Sequence, residues 1–376
     1  MLYEVYIPKN KNISAIRLWL IQGIMSLALA GIFSVILVAA RTPFIQNIFP
    51  LNDIFHRSIV IHVILSIVVW LLSIIAMFWA ASSSRELSSY SNLLAKMAIL
   101  GSFLIFFSGL YPEGKAIMNN YVPILTNLPF SLGLSLFFSA LIIQALIHII
   151  SPLFKVFPEN IFSKPLYVAA YSSAVLFLLS SLSFCISYWK IKMLFSQGIN
   201  LTELEFYEYL FWSAGHSLQF VYSQIFIMAL IIFAKYLFLF KRLNSKFIIS
   251  LFWINVIIIL VSFYGLIKYE IHSFEFRNFF TQHMIYGGSI ITFIVILIIL
   301  VGFFKNYKNS KKLFSPISAC FFGSIILFLY GGSLGALIEG INVTIPAHYH
   351  GMIVGISLAF MGLFYLMAPK LSFGRI

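Results

Sequence analysis

Residues 345–351 read Ile345-Pro346-Ala347-His348-Tyr349-His350-Gly351, at the head of a long apolar run in a chain with eight histidines among 376 residues. Ionisable residues inside apolar runs are rare and usually functional. On a helix, residues two apart lie about 200° apart around the axis, so His348 and His350 point to opposite sides. Two such imidazoles do not easily serve one metal ion. Each can serve a different cofactor, with the helix as a partition between them. Pro346 suits the first turn of an entering helix.

The surroundings of that run set the class. Hydrophobic residues make up 61% of the chain and charged residues 9%, more apolar surface than a water-soluble fold of this length covers. The composition is that of an all-α polytopic membrane protein, with the lipid bilayer as its first partner. A net charge of +13 suggests nucleic acid in a soluble protein. Here it reads as Lys and Arg gathered in cytoplasmic loops, with no nucleic acid implied. The polar start "MLYEVYIPKNKN" leads into a run too long for a signal peptide, so a first membrane helix is expected rather than a removed segment. Cys185 and Cys320 lie in different runs and offer neither a disulfide framework nor thiolate metal spacing.

Runs long enough to span a bilayer fall at about 15–40, 57–81, 92–111, 129–150, 165–189, 207–234, 247–267, 284–304, 313–337 and 346–369. The expected organisation is a polar tail over 1–14, a single transmembrane domain over 15–370 and a short tail over 371–376. Ten helices put both termini on one face. Seventeen of the 24 Lys and Arg residues then fall on that face, among them Lys9, Arg17, Arg85, Lys155, Lys241 and Lys311. Glu203, Glu205, Glu208, Glu270, Glu275 and Glu339 fall on the other. The positive-inside rule therefore predicts both termini in the cytoplasm, and the expected location is a bacterial cytoplasmic membrane.

Against this topology His62, His216, His283, His348 and His350 all fall near the starts of even-numbered runs, at similar depth below the outer face. His148, His56 and His272 read as interfacial. Imidazole is a common metal ligand and an axial ligand of haem. His62, on another helix at matching depth, can close the second axial position on one of the two cofactors served by His348 and His350. A bis-His haem and a second, five-coordinate haem follow as an expectation, with His216 and His283 left to place another metal.

These stretches resemble subunit I of the haem-copper oxidases, the superfamily of cytochrome c oxidases, cbb-type oxidases and nitric oxide reductases. The resemblance runs helix for helix through the family's first ten of twelve helices. "RSIVIHVILSIVVW" resembles the second helix, "FWSAGHSLQF" the sixth, "FFTQHMIYGG" the eighth and "IPAHYHGMIVG" the tenth. It implies a low-spin haem on His62 and His350, and a high-spin haem on His348. His216, His283 and, weakly, Gln282 are then ligands of copper or non-haem iron, with His348, His216 and His283 as catalytic residues. Phe220 stands where the family has Tyr or Glu, and Gln282 where it has the first of two adjacent histidines. An amide oxygen is a poor copper ligand beside imidazole.

The implied function is respiratory. Electrons pass from the low-spin haem to the high-spin haem and metal, which reduce oxygen or nitric oxide. The resemblance implies two haems, expected to be of b type or related, and with no CxxCH and no cupredoxin-like domain the electrons come from a separate donor. The donor is cytochrome c, quinol or a partner subunit. One alternative is a degenerate relative that keeps the haems but lacks the second metal, in electron transfer, gas sensing or assembly. A proton-coupled transporter also explains histidines at one depth, but not the HxH partition with its matching His62.

Overall fold

The computed structural model describes residues 13–48, 52–84, 86–153, 163–237, 244–309, 313–339, 342–371 and 373. Most of the two expected tails lies outside the described residues, as do Arg85, Lys155, Lys241 and Lys311.

Ten helices among the described residues are long and apolar enough to cross a membrane. They are α1 (Ser14–Arg41), α2 (Ile54–Ser82), α3 (Ser88–Ser108), α4 (Leu128–Leu153) and α5 (Lys164–Ser196). Then follow α6 (Glu203–Tyr236), α7 (Ser245–Lys268), α8 (Phe274–Asn306), α9 (Pro316–Gly335) and α10 (Thr344–Met367). The only sheet among them is a two-stranded hairpin between α3 and α4, β1 (Ala116–Ile117) and β2 (Ile124–Leu125). A helix satisfies its own backbone polar groups, which lipid cannot do, and this is why the apolar runs fold so.

Local chemistry sets the starts. Thr202 and Glu205 form a reciprocal capping box at α6, Asn127 caps α4 by accepting from Phe130 N, and Ser315 caps α9 just before Pro316. Each meets backbone N–H groups that the helix leaves unpaired.

Tertiary bonds fix which ends lie together. Arg57, near the start of α2, donates to the carbonyls of Tyr111 and Pro112 after α3. Asn120 of the hairpin donates to Glu208 of α6 through its backbone N–H, at 3.1 Å, and through its side chain. Lys190 of α5 donates 2.6 Å to Tyr269 O after α7, and Trp212 of α6 donates 3.2 Å to Arg277 O of α8. At the opposite end Arg17 of α1 donates 2.6 Å to Leu371 O beyond α10. Hence the starts of all five even-numbered helices share the hairpin end, which we call the histidine end.

Helix α6 is the pillar of the bundle. Its apolar window is 89% buried, against 28% for α1. Phe220, Phe226 and Phe233 lie along it without exposure. Helices α9 and α10 cross backbone to backbone. A Cβ on Gly331 would stand 2.5 Å from Met352 N, and one on Gly351 would stand 2.6 Å from Gly331 Cα. Small residues allow such close approach between membrane helices.

Three helices outrun their apolar stretches. α5, α6 and α8 hold 33, 34 and 33 residues, about 50 Å each against a hydrocarbon core of about 30 Å. Their additional turns at the histidine end carry Lys190, Lys192, Glu203, Glu205, Glu275 and Arg277. Charge ended the apolar run there but not the helix. His216 and His283 consequently lie well inside α6 and α8 rather than near their starts.

Candidate functional site

Each histidine ring has one nitrogen that carries the proton and one that carries the lone pair, and a backbone carbonyl can only accept. A ring nitrogen facing a carbonyl therefore bears the proton. His348 Nδ1 lies 2.7 Å from Gly331 O. His350 Nδ1 lies 2.6 Å from Pro346 O, one turn back on α10. His62 Nδ1 faces two acceptors of α1, Ser34 Oγ at 2.9 Å and Ala30 O at 3.2 Å. In all three rings the lone pair is on Nε2, and no group among the described residues caps it. Histidines that bind metals ordinarily hold the remote N–H in this way.

His348 and His350 do diverge, as their spacing requires. His348 leans on α9, where a Cβ on Gly335 would stand 2.6 Å from its ring. His350 is exposed and stacks on Tyr349 with 5.0 Å between ring centroids. His62 is half-buried against α1, and no hydrogen bond or ring contact joins it to His350. Just past His62 the helix widens into a π-helical turn, Ile64–Val69. A second such turn, His283–Gly288, begins at His283. Turns of this kind are uncommon and recur at functional sites.

His216 and His283 stand differently. His216 is buried, and its Nδ1 donates 2.7 Å to Trp212 O. Its Nε2 accepts from the phenol of Tyr121 at 2.9 Å. Tyr121 reaches it from the hairpin and packs on both Trp212 and His216, at 5.8 and 4.8 Å between centroids, while those two rings touch each other at 4.9 Å. Its ring lies flush on Gly215, with no room for a Cβ there. Enclosure, and then the Glu208 carboxylate, hold the Tyr121 phenol proton well above the ordinary range.

His283 donates through Nε2 to Ile258 O of α7 at 2.8 Å, so its lone pair is on Nδ1, buried and without a partner. Phe220 lies against that ring at 5.2 Å and Phe279 stacks on it at 6.0 Å. Gln282 is exposed, and its amide donates only to Asn278 on its own helix. No group of three or more His, Cys, Asp or Glu with metal-binding geometry occurs among the described residues. Nothing in the sequence singled out Tyr121, which sits in a polar connection without a motif. His148, expected at an interface, is buried in α4 against Tyr167 and Tyr171. His56 and His272 are exposed.

A family model described as "Cytochrome C and Quinol oxidase polypeptide I" matches residues 14–376. The chain belongs to that family. Among its relatives, the uncharacterized protein RP382 of Rickettsia prowazekii (strain Madrid E) is 32% identical, over 95% of this chain and 78% of that protein. An uncharacterized protein of Aquifex aeolicus (strain VF5) is 26% identical, over 95% of this chain and 85% of its own length. A heme-copper terminal oxidase, solved by cryo-electron microscopy as a dimer, superposes with a TM-score of 0.60 at 16% identity. That match covers 96% of this chain and 68% of the oxidase chain. At that identity the likeness concerns the fold, a subunit I-like bundle of ten helices in a multi-pass membrane protein.

Proposed function

We propose that this family member is a haem-binding electron-transfer subunit of a bacterial respiratory membrane. In this reading His62 and His350 would hold one haem between them, and His348 would hold a second. One observation carries the reading. Three imidazoles from two helices each have Nδ1 fixed on an acceptor and an uncapped lone pair on Nε2, the donor state that haem iron takes. When bound, the haems supply one-electron transfer and, beside His348, an open iron position for oxygen or nitric oxide. The chain's own part is to fix each ring's tautomer and direction: Ser34 and Ala30 for His62, Gly331 and Gly335 for His348, and Pro346 O for His350. Cytochrome c, quinol or a partner subunit is the proposed donor. The charge pattern supports a cytoplasmic membrane with both termini inside.

A second reading is a full terminal oxidase in which His216, His283 and Gln282 hold copper or non-haem iron beside the His348 haem. The unpartnered lone pair on His283 Nδ1 speaks for it.

Purification in mild detergent, followed by haem extraction and an optical spectrum, tests the proposal. The expected result is two non-covalent haems per chain, one low-spin and one high-spin that binds carbon monoxide. A haem-free protein contradicts it.

A further inference from the structure

We infer that the second-metal position of the family is closed in this chain, because Tyr121 engages the one lone pair that His216 offers. The argument is a count of donors. Once His216 Nδ1 donates to Trp212 O at 2.7 Å, the only lone pair of the neutral ring is on Nε2. Tyr121 Oη occupies that position at 2.9 Å. His283 keeps a free lone pair on Nδ1, but Phe220, fully buried, lies against that ring. The resemblance puts a Tyr or Glu at that α6 position. Gln282 is exposed, with its amide turned to Asn278. One free imidazole lone pair thus remains from three candidate ligands, beside the exposed amide oxygen of Gln282, a poor ligand for copper, whereas a catalytic copper or iron site needs about three good protein donors.

The plug is built rather than incidental. Asn120 grips Glu208 by backbone and side chain. The Asn119 carboxamide turns the tip by accepting from Tyr121 N at 3.2 Å and Val122 N at 3.0 Å. Gly215 leaves the face of α6 flat where the Tyr121 ring lies. A metal on His216 would have to break the phenol bond and lift an anchored hairpin. This inference goes beyond the haem reading and does not depend on it.

The test uses the purified full-length protein, incubated with Cu(I) or Fe(II), dialysed against a chelator and analysed for copper, iron and haem in one sample. The expected content is below about 0.1 non-haem metal per chain, as for a site lacking its ligand set. A His216→Asn variant is run in parallel. One metal per chain that the variant loses overturns the inference. One metal per chain that survives in the variant is bound elsewhere and upholds it. The haem content of the same sample reports separately on the proposed function.

Discussion

His348 Nδ1 lies 2.7 Å from the carbonyl oxygen of Gly331 on the neighbouring helix. A carbonyl accepts only, so this contact alone decides the tautomer of the ring, and the lone pair is on Nε2. The contact exists because α9 and α10 meet at glycines, where a Cβ on Gly331 would stand 2.8 Å from His348 O.

Gly335→Ala puts a methyl 2.6 Å from the His348 ring and forces that ring from its place. Overpacking of this kind costs about 1–3 kcal/mol. The haem content is expected to fall from two to one per chain, with the low-spin spectrum kept and carbon monoxide binding lost. An unchanged carbon monoxide spectrum speaks against His348 as the high-spin ligand.

Ser34→Ala removes the nearer of the two acceptors for His62 Nδ1–H. An imidazole that donates more weakly is itself a weaker electron donor to iron, so the ferric state loses stability. A hydrogen bond worth about 1 kcal/mol corresponds to an upward shift of about 40 mV in a one-electron midpoint potential. A redox titration followed at the low-spin band reads it. A shift at the high-spin haem instead contradicts the assignment of His62.

Tyr121→Phe leaves the His216 lone pair buried without a donor. Such an orphaned acceptor costs about 1–3 kcal/mol. The detergent-solubilised variant is expected to unfold several degrees below the parent in a thermal ramp. An unchanged midpoint means that the hairpin does not hold His216 in place.

The ten helices were legible because apolar length is a direct readout of bilayer thickness. The divergence of His348 from His350 was legible because helical geometry is fixed at two residues' separation. Two features were not. The starts of α6 and α8 lie in charged turns outside their apolar runs, where hydropathy carries no signal, so His216 and His283 lie further along their helices than the apolar runs suggest. The Tyr121 contact joins residues 95 positions apart through a hairpin whose fold depends on Glu208 and Gly215. No local pattern in "NNYVP" encodes that partner.

Orientation is testable at Lys115, exposed on the hairpin. In the proposed orientation, with both termini inside, this loop lies outside the cell. A Lys115→Cys variant in intact cells is expected to react with a membrane-impermeant maleimide. Labelling only after the membrane is opened reverses the topology.

The most direct test of the haem assignment is the low-temperature spin-state spectrum of His62→Ala and His350→Ala beside His348→Ala. The account predicts that either of the first two variants abolishes the six-coordinate, low-spin signal. His348→Ala should keep that signal and lose the high-spin one. A low-spin signal that survives in both His62→Ala and His350→Ala contradicts it.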